Sequence, residues 1–196
     1  MGGEDSWRVG GITMRFVSLD FETTGSVPGW RNEPWQLGLI EIINGVPDPS
    51  TRREYFFKMP IDRPFSPATP GRWAKMREFL AQAPTFMEVW GELSEILVGA
   101  TLIAHNASTE RTILTRLLPL TPLGPWEDTY LIAKKSYKLP SYKLGDLITS
   151  FNLQPHLDAI FAGEEGRTWH DALYDACAGA YLFCSMKAIR QTEFLF

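Results

Sequence analysis

Cysteine is scarce, basic charge is outweighed, and no apolar run is long. The two cysteines among the 196 residues, Cys177 and Cys184, lie seven apart on what reads as one helix, about 10 Å along its axis and too far to bridge each other. A disulfide scaffold is excluded, and both read as buried thiols suited to a reducing cytoplasm. No stretch approaches the roughly 20 apolar residues of a membrane span, and the N-terminus lacks the basic-then-apolar pattern of a signal peptide. The expectation is a soluble, cytoplasmic protein with no membrane partner. Lysine and arginine number 19 against 23 acids, a net charge of −4, which argues against a protein that coats nucleic acid through a basic surface. Internal repeats, charge blocks and domain linkers are also missing. The chain therefore reads as one globular domain, residues 13–196, behind a tail, residues 1–12, expected to be disordered. Met1-Gly2-Gly3 fits a loose N-myristoylation pattern, yet two glycines and two acids opening a chain read first as a tail.

What is present begins with the apolar run Phe16-Val17-Ser18-Leu19-Asp20-Phe21-Glu22, followed by Thr23-Thr24-Gly25. Side chains in a strand alternate faces, so Asp20 and Glu22 share one face while Val17, Leu19 and Phe21 point the other way into a core. Two carboxylates side by side with no basic residue between them call for a cation, and oxygen-only ligands suit Mg²⁺ or Mn²⁺. The plain alternative is a solvated strand tip. Bound dications would meet a phosphate directly, so the acidic net charge leaves metal-dependent phosphate chemistry open.

Along the chain, residues 27–34 read as a loop and residues 35–43 as a second, buried strand. Asn44-Gly45 marks a turn, and residues 53–59 a third, antiparallel strand. Four prolines in residues 60–70 make that stretch an irregular crossing. Trp73, Met76 and Leu80, then Phe86, Val89, Leu93, Ile96 and Leu97 after Pro84, have helical spacing. Thr101 to Ala104 looks like a central strand that runs into His105-Asn106 and a helix over residues 107–118. A short strand or turn at residues 126–129 leads to helices over residues 130–138 and 143–151, and the last helix spans residues 171–188. Strands first and helix-strand alternation later predict an α/β fold, a mixed sheet with helices packed on it.

Two further sites join the carboxylate pair. Leu102-Ile103-Ala104-His105-Asn106-Ala107-Ser108-Thr109-Glu110 puts an acid on the opening of a helix where a buried strand ends, the place where open α/β sheets gather ligand sites. Trp169-His170-Asp171-Ala172-Leu173-Tyr174-Asp175-Ala176 holds a histidine and an acid five apart. That interval turns the side chain about 140° past one full helical turn, so His170 must lie in or before the first turn if both are to face one site. A capping histidine and a surface aspartate are the plain readings of that pair.

Taken together in this order and spacing, F-V-S-L-D-F-E-T-T-G, A-H-N-A-S-T-E-R and H-D-A-L-Y-D-A resemble the DEDDh (DnaQ-like) family of 3′-to-5′ exonucleases, and within it the epsilon-type proofreading branch. A-P-T-F-M-E-V-W-G-E-L and D-T-Y-L-I-A-K extend the similarity over residues 15–186. The resemblance implies an RNase H-like five-stranded mixed sheet flanked by helices and two-metal hydrolysis of a nucleic-acid 3′ end, with two Mg²⁺ or Mn²⁺. Asp20 would bridge the ions, and Glu22 and Asp175 would complete the shell of one. His170 would act as general base, a role that the near-neutral pKa of an unperturbed histidine suits. Thr23, Thr24 and Gly25 would shape the pocket for the terminal nucleotide, and His105 and Asn106 would meet substrate. His105-Asn106-Ala107 leans toward the DNA branch. Glu110 departs from the family, which usually has aspartate there; one added methylene strains Mg²⁺ geometry, yet an acid that acts partly through bound water tolerates it. Glu110 is also the only support for a second reading, a catalytically weak module that binds a nucleic-acid end or a polymerase.

Expected partners are the 3′ end of single-stranded DNA or RNA and a polymerase or repair protein. A tethered proofreading subunit would carry a polymerase-binding tail, and the chain ends about ten residues past its last predicted helix, so a free-standing nuclease, or one docked through its body, is expected. Residues 134–143, with four lysines and two tyrosines, read either as a platform for single strands or as a solvated link between helices. Trp30 reads either as a base-stacking ring or as cover for the sheet edge, and Trp7, Trp73, Trp90, Trp126 and Trp169 as packing.

Overall fold

A computed structural model describes residues 8–9, 12–69 and 75–193. The expectations placed on residues 1–7, and those for Trp7 and Trp73, lie outside the described residues. At the junction of the expected tail and the domain, β1 (Arg8–Val9) and β2 (Ile12–Thr13) pair antiparallel as a small two-stranded sheet.

The main sheet is built on β3 (Phe16–Thr23) and β4 (Pro34–Ile43), antiparallel neighbours at its centre. On the far side of β4 lie two short strands, β5 (Val46–Pro47) and β6 (Arg53–Phe56). On the far side of β3 follow β7 (Thr101–Ala104) and β8 (Trp126–Asp128), both parallel to it. The result is the expected mixed sheet, with its outer position beside β4 shared by two strands. The third predicted strand stops at Phe56, although Phe57 N–H still donates to the Trp35 carbonyl at 2.9 Å.

Alternation along the strands sorts the core into two layers. Val17, Leu19 and Phe21 of β3, with Leu37, Leu39 and Leu102, bury against α2 (Phe86–Leu97) and α3 (Ser108–Leu117). Phe16, Ile40, Ile42 and Ile103 face the other way. They meet α4 (Thr129–Ser136), α5 (Leu144–Ser150), α6 (Gln154–Ile160) and α7 (Ala172–Glu193). Before α2 runs α1 (Arg77–Gln82), whose Leu80 packs on Trp35. The sequence reading has no counterpart to α6, a two-turn helix with Pro155 in its first turn. Cys177 and Cys184 are both free, the first buried in the α7 layer. Among the described residues no helix is long and apolar enough to cross a membrane.

One contact sets how closely helix and sheet approach. A Cβ built on Gly38 of β4 would lie 2.2 Å from backbone atoms of Leu173, so the first turn of α7 rests directly on the strand. Gly38 is the cross-strand partner of Asp20. A residue with a side chain at position 38 would lift α7 away from the strand that carries the acids.

Candidate active site

Asp20 and Glu22 leave the end of β3 on the α7 side, as alternation requires, and a register shift between Glu22 and Thr23 then turns the chain out of the ladder. His170 stands in the turn before α7, with φ +66, and Asp175 lies in the helix's first turn. This is the arrangement the five-residue interval demanded. The His170 backbone N–H donates to Asp175 Oδ2 at 3.0 Å, which ties the turn to the acid. Ligand atoms of Glu22, His170 and Asp175 lie within 4.8 Å of one another. Glu110, in the first turn of α3, is 4% exposed, and its charge, after burial, is the strongest influence on Asp20.

The electrostatics are those of acids crowded out of water. Burial first and neighbouring carboxylates second push Glu22 up to about 10, and the same two causes, with Asp20 as the strongest charge, push Asp175 up to about 8. Glu110 is pushed up to about 7, again chiefly by burial. Asp20 is raised well above the carboxylate range by burial, Glu110 and Asp171. Among the described residues, the charges that shift these four groups are other carboxylates. Glu110 Oε2 and Asp175 Oδ1 are buried without a hydrogen-bond partner, a costly state for an ionised oxygen. The donor set is oxygen-rich, anionic and aimed inward, so these residues fit hard divalent cations such as Mg²⁺ or Mn²⁺.

Asp20, His170 and Asp175 form one end of a cavity of about 1050 Å³. Asn106, Tyr130, Ser141, Tyr142, Lys143 and Trp169 lie on its walls. His105 also reaches this wall, but both ring nitrogens are engaged by protein. The Tyr142 carbonyl, 3.0 Å from Nε2, can only accept, so Nε2 carries the proton and Nδ1 accepts from the Thr129 hydroxyl at 2.9 Å. Burial lowers the His105 pKa, in favour of the neutral ring. Within the lysine-rich segment Tyr142 lines the cavity and Tyr137 packs edge-on against Phe151, while Lys134, Lys135 and Lys138 are exposed.

Thr23, Thr24 and Gly25 lead away from the acids into a braced loop. Thr24 is fully buried; its carbonyl accepts from Ser66 N–H at 2.8 Å and the Thr69 hydroxyl at 2.9 Å. Gly25 has φ +70, and a Cβ there would meet Ser66 and Thr69 at 2.7 Å. The close approach this glycine permits is thus to the chain's own 66–69 segment. Trp30 is half exposed, with the Arg63 guanidinium 4.7 Å over its ring.

Asp128 escaped the sequence reading. Its carboxylate accepts from the N–H groups of Asn106 (3.1 Å), Ala107 (3.0 Å), Tyr130 (2.9 Å) and Leu131 (3.2 Å). It thereby joins the turn that delivers Glu110 to the start of α4. An acid directly before a helix was the available signal, as an N-cap.

A model of the exonuclease family RNase_T matches residues 17–183. The DNA polymerase III subunit epsilon of Rickettsia conorii is 27% identical over 190 residues, covering 93% of this chain and 77% of that protein. The solved structure of Exonuclease X in complex with 5′ overhanging duplex DNA has a TM-score of 0.64 at 23% identity, covering 90% of this chain and 92% of that one. The nuclease domain of 3′hExo, a DEDDh family member bound to rAMP, has a TM-score of 0.62 at 18% identity, covering 89% and 92%. The fold they share with this chain is the RNase H-like one.

Proposed function

Because the chain belongs to the exonuclease family RNase_T and is a DnaQ-like 3′-to-5′ exonuclease, we propose that it acts on single-stranded nucleic acid, DNA in preference to RNA, and releases nucleoside 5′-monophosphates. Asp20, Glu22, Glu110 and Asp175 would hold two Mg²⁺ or Mn²⁺, and His170 is the general base. The carrying observation is the cluster of Glu22, His170 and Asp175, on which the charges of Asp20 and Glu110 also act, with two buried carboxylate oxygens that have no hydrogen-bond partner. When bound, such ions polarise the scissile phosphate and stabilise both the attacking and the departing oxygen.

The chain's own residues supply the rest. His170 is exposed on the cavity side and within 4.8 Å of the Glu22 and Asp175 oxygens. Its ring therefore takes the proton of an attacking water and passes it to solvent. Asp175 Oδ2 fixes the His170 backbone, leaving Oδ1 for a cation. A cavity of about 1050 Å³ is at the upper end of the roughly 300–1,000 Å³ of small-ligand pockets, and its rings and single lysine suit unpaired bases and a phosphate. The likeness to a polymerase III subunit supports a polymerase or repair partner.

The test is a 5′-labelled oligonucleotide, as DNA and as RNA of equal sequence, with Mg²⁺ or Mn²⁺ and then with chelator. A ladder that shortens by single nucleotides, faster on DNA, and that disappears in chelator and in Asp20→Ala, is the expected result. Intact oligonucleotide retained on a filter would establish the binding module instead.

A further inference from the structure

His170 occupies left-handed backbone, which a residue with a side chain keeps only where its surroundings over-determine it. The surroundings do so on both sides. Three residues earlier, Arg167 donates through Nη1 and Nη2 to the two oxygens of Glu54 on β6, at 2.7 and 2.8 Å. Its Nη1 also reaches both oxygens of Asp171, at 2.9 Å each. Glu54 accepts from the Gln36 amide at 2.7 Å, and the Gln36 oxygen accepts from the Ala172 N–H at the start of α7 at 3.3 Å. Asp171 in turn accepts from the Tyr174 N–H at 3.2 Å, capping the helix.

These bonds close a ring from sheet to turn to helix and back. Gln36 and Asp171 are buried, and Gln36 is the cross-strand partner of Glu22. The apolar face of α7, through Leu173, Cys177 and Phe183, already seats the helix in the core. The segment leading into it, residues 162–170, is mostly exposed and meets that core through Trp169, edge-on to Tyr174. The ring adds a polar tie to the sheet, bracketing His170 between Arg167 and Asp171.

We infer that Arg167 is a positioning residue for the reaction: its guanidinium fork, set between Glu54 and Asp171, holds the His170 turn against the sheet so that the imidazole addresses the site. This rests on the reading of His170 as general base, and the experiment separates the two. Lysine keeps the cation between the acids but replaces the planar fork by one ammonium. On single-stranded DNA, R167K is expected to lower kcat about 10-fold with KM held within about twofold. In an H170A background the same change should alter kcat by less than about twofold, because nothing remains to be positioned. Glu54→Gln should repeat both results, and it answers the comparison if R167K fails to melt cooperatively. An equal loss with and without His170, or no loss in either, overturns the assignment while leaving His170 as the base. Full turnover by H170A alone overturns the base reading and the assignment with it.

Discussion

Glu110 lies on a helix whose first turn buries its carboxylate, and its charge acts on Asp20. If it is a ligand, shortening it keeps the chemistry and removing it does not. Glu110→Asp is expected to preserve or raise turnover, whereas Glu110→Ala should lower it about 100-fold or more; single-turnover rates on a labelled single strand decide, and unchanged rates for Glu110→Ala would show that the acid holds no metal. His170→Ala should cost between about 10² and 10⁴ in kcat. The lost rate should be confined to the chemical step, so titration of Mn²⁺ into the variant, followed by electron paramagnetic resonance, is expected to show near-normal binding through the four acids. His105 is the contrasting case. Its sequence neighbours suggest a contact to substrate, but its ring nitrogens hold Thr129 and Tyr142, a use that becomes visible only when the 129–142 segment folds over it.

Elements meet at this site because one of them carries no side chain where they cross. Gly38→Ala would set a methyl group 2.2 Å from the Leu173 backbone, so α7 must shift and take Asp175 and His170 with it. The expected cost is at least the roughly 1–3 kcal/mol of an overpacked core, read as a lower midpoint in urea together with loss of nuclease activity in the fraction that remains folded. Of the whole arrangement, the parts written in local pattern were legible beforehand: the shared face of Asp20 and Glu22, and the placing of His170 before the helix, follow from periods of 2 and 3.6 residues. Gly38, Arg167 and Glu54 were not legible, since each acquires its meaning from a partner far along the chain. The helix α6 escaped for a different reason. Two turns are too short for hydrophobic periodicity to show, and Pro155 reads as a break unless it is known to sit in a first turn.

For the molecule as a whole, the crowded acids make stability a function of pH and metal. Burial and neighbouring carboxylates push Glu22, Glu110 and Asp175 up to about 10, 7 and 8 in the folded, metal-free chain, above their unfolded values. The folded state therefore binds more protons than the unfolded one, and the stability this brings is present at low pH and is lost as pH rises toward those values. The melting temperature of metal-free protein is expected to fall from about pH 5 to about pH 9, and Mg²⁺ or Mn²⁺ should raise it most at the alkaline end, where the ligands need least deprotonation; differential scanning calorimetry at several pH values, with and without ion, reads both. The order of assembly along the chain matters as well. Asp20 and Glu22 are made early, but the layer that covers their face of the sheet and the groups that complete the cup belong to α7 and the turn before it. A half-finished chain therefore holds two of the acids without the groups that complete the cup, and the candidate centre assembles only once the last helix has formed.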